Sequence, residues 1–176
     1  DALLPLTDQR TDIDNKIDGL LHWNGSGTNV AEGLAWGWRV LSPGVPFTEG
    51  AAYGEATKVI VLMTDGVNNV DPNPEFSHLS EYSAYGYLEQ WGHNRIADKT
   101  YAGFKSYADG RLQQVCSNAK AEGIQIYTVA FGITDVQTLK ILEDCATAPP
   151  YAYTASTSSD LIDAFKKVAQ KLSMLR

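Results

Sequence analysis

The sequence predicts an α/β fold with a mostly parallel sheet flanked by helices. Lys58 to Thr64 (Lys-Val-Ile-Val-Leu-Met-Thr) and Ile124 to Phe131 (Ile-Gln-Ile-Tyr-Thr-Val-Ala-Phe) are β-branched, mostly apolar runs of strand length. Runs that are apolar on both faces belong in a parallel sheet covered by helices on each side. Segments with helical apolar spacing alternate with them, a doubly wound pattern whose ligand site is expected at the C-terminal ends of the strands. At 176 residues and 44% hydrophobic content, one domain is expected over 1–176.

The elements follow in chain order. Thr7 to Trp23 carries Ile13, Ile17, Leu20 and Leu21 at helical intervals, and Asn29 to Leu41 carries Val30, Leu34, Trp38 and Leu41. Both predict amphipathic helices. Asn29 and Glu32 have the spacing of a capping box, which places Thr28 just ahead of a helix N-terminus. The strand over 58–64 closes on Met63-Thr64-Asp65-Gly66, so Asp65 sits at a strand's C-terminal end. The segment Gly66 to Tyr107 then interrupts the alternation. It holds Pro72, Pro74, His78, Tyr82, Tyr85, Tyr87, Trp91, His93, Tyr101 and Tyr107 with no sustained period, and reads as an irregular insertion. Beside a strand end such an insertion is either a binding surface or an aromatic cover for the sheet top. After it come a helix over 109–122 (Leu112, Val115, Cys116 and Ala119 inward, Gly123 as its stop), a shorter helix from Asp135 to Cys145, a short strand at Tyr151 to Thr154, and a final helix from Ser159 to about Leu175. That last helix shows Leu161, Phe165, Val168 and Leu172 on one face.

Charge and composition exclude several functions. Fourteen Lys and Arg against twenty-one Asp and Glu leave a net charge of -7, and no basic run is longer than Lys166-Lys167. Nucleic-acid binding needs clustered cations, so no polynucleotide partner is expected. No stretch approaches the roughly 20 apolar residues of a membrane span. The first residues, Asp1-Ala2-Leu3-Leu4-Pro5, do not have the form of a signal peptide, and any anchor or export signal is expected outside this chain. Cys116 and Cys145 are not at metal spacing; a disulfide in an oxidising compartment and two buried thiols both stay open.

The motifs of common enzymes are missing. Gly25-Ser26-Gly27-Thr28 before a helix suits a phosphate on backbone N–H groups, but a P-loop needs a Lys where this loop has Thr28-Asn29. Asp65 after a strand resembles a phosphohydrolase nucleophile, yet the position two residues on is Val67, not an acid. Gly25-Ser26-Gly27 follows no apolar strand and so makes no nucleophile elbow. His22, His78 and His93 are isolated, and the acidic pairs Asp12-Asp14 and Glu143-Asp144 fall on helix surfaces. The chain therefore reads as a non-enzyme, with a phosphate-binding hydrolase using 25–29 as the rival from another class. Thr28 and Asp65 carry two readings from the residues alone: a helix cap and a tight turn with Gly66, or oxygen donors of a partial metal site.

The order of helix, Gly25-Ser26-Gly27-Thr28-Asn29 loop, helix, apolar strand, Thr64-Asp65-Gly66 and then Gly123-Ile124-Gln125-Ile126-Tyr127-Thr128-Val129-Ala130-Phe131 resembles the C-terminal two thirds of a von Willebrand factor A domain, a Rossmann-like fold. Within that superfamily the chain most resembles the Tad/Flp pilus assembly proteins of the TadG type. That closer likeness rests on Thr28-Asn29 with Gly33-Leu34-Ala35-Trp36-Gly37-Trp38-Arg39, Leu62-Met63-Thr64-Asp65-Gly66, Tyr127-Thr128-Val129, Cys145-Ala146 and the closing Ser159 to Arg176 helix. The resemblance implies a divalent ion at a metal-ion-dependent adhesion site, with Thr28 from the second loop and Asp65 from the third. Hydroxyl and carboxylate oxygens suit Mg2+ (or Mn2+ or Ca2+), with one coordination position left for a partner's carboxylate. The Asp-x-Ser-x-Ser loop of the first strand does not occur in these 176 residues, so metal binding is expected to be weak or absent here and tighter in a longer parent. Further implications are a protein partner among pilus or envelope components, an inner-membrane anchor upstream, and a periplasmic or extracellular location. A metal-free interaction scaffold is the rival among binding proteins. Without its first strands, the A-type sheet leaves 58–64 as an open edge, and self-association or completion by an upstream piece is expected there.

Overall fold

The computed structural model describes residues 3–21, 27–70, 82–87 and 100–174. In chain order the elements are α1 (Arg10–Asp18), α2 (Val30–Leu41), β1 (Val59–Thr64), β2 (Tyr82–Ser83), β3 (Gly86–Tyr87), α3 (Tyr101–Ala121), β4 (Gln125–Phe131), α4 (Val136–Cys145), β5 (Ala152–Ala155) and α5 (Ser158–Ser173). The two apolar runs form the parallel pair that their composition predicts, with Ile60 opposite Ile126 and Leu62 opposite Thr128. β5 adds in parallel on the far side of β4, so the order is β1-β4-β5. A two-residue-per-strand hairpin, β2 with β3, stands apart from this sheet.

Side chains alternate across a strand, and the two sheet faces are covered unequally. Ile60 and Leu62 of β1 and Ile126 and Ala130 of β4 face a core filled by Leu34 of α2, Leu112 and Cys116 of α3, and Ile141 and Leu142 of α4. On the opposite face α5 packs over β4 and β5. There Tyr127 stacks on Tyr151 at 4.3 Å between ring centres, and burial pushes the Tyr127 phenol up to about 12. Val61 and Met63 of β1 lie beyond this cover and stay 36% and 42% exposed. Among the described residues β1 pairs on one side only, so the strand expected to be an open edge is one.

Three expectations are corrected. The irregular insertion does not reach Tyr107: α3 begins at Tyr101, capped by Thr100, whose hydroxyl accepts from the Gly103 N–H at 3.0 Å. Phe104, Ala108, Leu112 and Cys116 are all buried along it, and this four-residue spacing was readable beneath the aromatics. The first helix is shorter than 7–23 and buries none of its residues. It starts late because the Thr7 hydroxyl takes the Gln9 N–H, and it stops at Gly19. Its apolar residues Ile13 and Ile17 remain exposed. In α5 the inward face is Ala164 and Val168 with Leu161 and Leu172 half-buried, while Phe165 is 42% exposed. Elsewhere boundaries move by a residue: Tyr151 belongs to a 3-10 turn before β5, and α5 starts at Ser158 under a capping box between Thr157 and Asp160. Trp23 and the end of the last helix at Leu175 lie outside the described residues.

Polar links tie the helices to the site end of the sheet. Asn68, buried just after β1, accepts from the Val30 N–H at 2.8 Å and donates to Asp109 Oδ1 at 2.8 Å. Asp109, itself buried on α3, receives Lys105 Nζ at 2.7 Å, and Lys105 also reaches Asp135 at 3.4 Å. Burial works against the Lys105 charge, but the hydrogen bond and charge of Asp109, aided by Asp135, hold its pKa above the usual lysine range. Asp135 caps α4 through Thr138, whose hydroxyl and backbone N–H hold that carboxyl below its usual range. The disulfide Cys116–Cys145 then joins α3 to α4 inside the core.

Two stability predictions follow from these ties. Closing 29 residues of chain restricts the unfolded state by about 3.5 kcal/mol, so a C116S/C145S variant should lose on the order of that amount in urea unfolding. An undiminished midpoint would show the bridge to be absent in solution. Asn68→Ala removes one partner each from a buried backbone N–H and a buried carboxylate, a loss of about 2–3 kcal/mol. Hydrogen exchange at the Val30 amide should rise in that variant beyond what its global unfolding accounts for.

Candidate functional site

Thr28 and Asp65 arrive from different directions at the C-terminal end of β1. The loop before α2 is fixed by an antiparallel bridge, in which the Thr28 N–H donates to Asn69 O and the Asn69 N–H donates to Thr28 O, each at 2.8 Å. This approach is so close that a Cβ on Gly27 would stand 2.2 Å from Asn69 O, and only glycine fits there. Asn29 then caps α2, its side chain accepting from the Glu32 N–H at 3.1 Å. That is the half of the expected capping box that forms among the described residues. At the strand end the Thr64 hydroxyl donates to Gly66 O at 3.0 Å and shapes the turn that presents Asp65.

The outcome is a shallow cavity of about 250 Å³ lined by Thr28, Asn29, Val30, Gly33 and the strand end Leu62 to Asp65. The Thr28 hydroxyl faces the turn after β1, since a Cβ on Gly66 would lie 3.4 Å from Thr28 Oγ1. Asp65 is exposed and Thr28 half-buried, so both oxygens can meet a ligand. One hydroxyl and one carboxylate fit a hard divalent ion that keeps several of its waters. Among the described residues no group of three or more His, Cys, Asp or Glu could hold a metal. Thr28 and Asp65 alone offer two oxygen donors, fewer than a divalent ion takes.

Several site features were not anticipated from sequence. Asn68 and Asn69 position the Thr28 loop, and their signal was an Asn-Asn pair directly behind the Asp65-Gly66 turn, where short polar side chains bond to backbone. Tyr85, on the turn between β2 and β3, sends its hydroxyl to Asn29 Oδ1 at 3.3 Å. It packs edge-on against Tyr107 with centroids 5.1 Å apart. Burial first, and the nearby Glu32 charge, raise its pKa despite the bond to Asn29. Asn29 Nδ2 is buried and has no hydrogen-bond partner among the described residues.

The other sequence candidates separate from this site. Gly25 and Ser26 of the loop, and His22, His78 and His93, lie outside the described residues. Asp12 and Asp14 are exposed on α1, and Glu143 and Asp144 are exposed on α4, where Lys140 pairs with both. Of the N–H groups at the start of α2, those of Val30 and Glu32 are already bonded to Asn68 and Asn29. A phosphate would have to displace these bonds.

No protein-family model and no curated protein matches this chain. Solved structures do. Proximal thread matrix protein 1 from the mussel byssus superposes with a TM-score of 0.59 at 23% identity, over 93% of this chain and 31% of that one. The same protein with a zinc-occupied MIDAS motif gives 0.57 at 23% identity. The pilus adhesin SpaC of Lactobacillus rhamnosus GG gives 0.58 at 15% identity, over 94% of this chain and 21% of that one. The vWF domain of the type V pili tip protein Mfa5 from Porphyromonas gingivalis gives 0.59 at 17% identity, over 92% of this chain and 72% of that domain. The chain thus spans about a third or less of the mussel and Lactobacillus proteins. At these identities the shared property is architecture: the chain has an α/β fold of the von Willebrand factor A type.

Proposed function

We propose that this chain is one domain with an irregular insertion between Asp65 and α3, and that it is a non-enzymatic protein-binding module acting in adhesion. The observation that carries this reading is the convergence of Thr28 and Asp65 on one open cavity at the end of β1. Their oxygens would hold a divalent ion, Mg2+ or another hard cation, whose free position takes a carboxylate of the partner protein. Thr28 is held by Asn69, and Asp65 is presented by the Thr64-Gly66 turn. Pilus adhesin and pilus tip proteins among the solved structures support an adhesive role, and the zinc-occupied mussel structure supports a metal. The finer assignment, a TadG-like protein of Tad/Flp pilus assembly anchored in the inner membrane, rests on the sequence motifs.

The phosphate-binding alternative is disfavoured because the helix N–H groups it needs are bonded within the chain. A metal-free scaffold is separated from the metal reading by titration. Mg2+ should bind this chain weakly and a longer parent tightly, and Asp65→Ala should weaken both by roughly tenfold or more. Calorimetry showing no Mg2+ binding by the parent would leave the scaffold in place.

The β1 edge adds a second expectation to the same reading. Its outward backbone groups and the exposed Val61 and Met63 form a template for another strand. We propose that this edge pairs with a second copy or with upstream chain. Light scattering should find the isolated chain associated, with Met63→Lys shifting it towards monomer; a monodisperse wild-type monomer would count against the edge.

A further inference from the structure

A second cavity lies on the face of the molecule formed by α2 and α3, separate from β1 and its exposed edge. It encloses about 380 Å³, and its walls include Glu32, Trp38 and Arg39 of α2, Arg111 of α3, and the rings of Tyr53 and Tyr85. Helical geometry accounts for the α2 wall, because positions three, four and seven apart share a face. From Ala31 to Ser42 that wall runs about 16 Å along the axis, enough for roughly five residues of extended peptide.

The walls are set before any ligand arrives. Trp38 Nε1 donates to Tyr53 Oη at 2.9 Å, and Tyr53 Oη also meets Ser42 Oγ at 3.0 Å. At the other end Tyr85 is held by Asn29, Phe104 and Tyr107. Fixed aromatic walls lower the ordering cost of binding.

The charges are the more telling feature. In a chain with a net charge of -7, neither arginine of this groove enters a salt bridge among the described residues. Arg39 lies over the Trp36 ring at 4.6 Å, which engages one face of the guanidinium and leaves its in-plane N–H groups available. Arg111 gives one N–H to Gln114 at 3.1 Å and keeps the rest. A guanidinium edge with free donors matches a carboxylate. Glu32, in the first turn of α2, opposes a second acid there, so the ligand's acids are favoured towards Arg39, two turns further along.

We propose that the groove between α2 and α3 is a peptide site that takes a short acidic segment of a partner protein. Its carboxylates sit on Arg39 and Arg111, and its apolar or aromatic side chains lie between Trp38, Tyr53 and Tyr85. This surface is independent of Thr28 and Asp65 and needs no metal.

The test uses the whole chain and a fluorescently labelled hexapeptide of alternating Glu and Tyr, beside its counterpart with Gln for every Glu. The Glu peptide should bind with an affinity that falls as salt rises, and should shift the Trp38 indole N–H resonance. An R39Q/R111Q variant should bind it roughly tenfold or more weakly while melting as the parent chain does, since both side chains are exposed. R39K/R111K should recover part of the loss. Equal binding of the Gln peptide, an unweakened R39Q/R111Q variant, or no binding at all overturns the proposal. Loss of binding on chelation or in Asp65→Ala also overturns it, by assigning the peptide to the other cavity.

Discussion

The bridge between Thr28 and Asn69 is the contact on which the site end of this molecule depends. Two segments far apart in sequence are held at backbone hydrogen-bond distance, 2.8 Å in both directions, in a place where Gly27 leaves no room for a side chain. The Thr28 loop and the start of α2 take their position from that bridge. It delivers Asn29 to cap α2, sets the Thr28 hydroxyl against the turn at Gly66, and brings Asn68 to the first N–H of α2. A side chain that must present an oxygen to a ligand needs its backbone fixed by something other than the ligand, and here the fixing is done by chain behind β1.

The polar relay from Asn68 through Asp109 and Lys105 to Asp135 extends this control to α3 and α4. Each member is engaged on both sides, so the burial of Asn68 and Asp109 leaves neither of these two side chains unsatisfied. A fully bonded buried network favours one arrangement of its elements over near alternatives. Its consequence is that the starts of α2 and α4, together with the first turns of α3, form one polar cluster at the C-terminal ends of β1 and β4. The disulfide fixes the same two helices further down, within the apolar core.

Much of the architecture was legible because its physics is local. β-branched runs made β1 and β4, and Asn29 and Asp135 mark helix starts by bonding N–H groups three residues ahead; Thr157 does the same for α5, whose start was read a residue late. The misreadings occurred where a local signal competed with a distant one. Tyr101 and Tyr107 looked like part of an irregular aromatic stretch, but Phe104 and Ala108 are buried and draw the segment into α3. The spacing of Ile13 and Ile17 is helical and the helix forms, yet amphipathicity does not say what the apolar face meets. At the site, Thr28 and Asp65 were picked out by type and by neighbouring motif, whereas Asn68, Asn69 and Tyr85 act through bonds to residues distant in sequence that no local period reports.

The unequal cover of the sheet separates the surfaces of this chain by their physical character. On one face, α2, α3 and α4 enclose a continuous apolar core, and the groove between α2 and α3 borders that core through Ala31, Trp38 and Val115. On the other, α5 stops short of β1 and leaves Val61 and Met63 exposed beside a strand edge that is unpaired among the described residues. Recognition at that edge would run through backbone hydrogen bonds and apolar contact, which discriminate weakly among partners. In the groove it would run through two guanidinium groups and fixed aromatic rings, which discriminate by charge and shape. The Thr28 and Asp65 cavity offers instead a hydroxyl and a carboxylate, oxygens of the type that suits a hard ion. The β1–β4 pair positions all three surfaces, because it sets both the strand edge and the seats of α2 and α3.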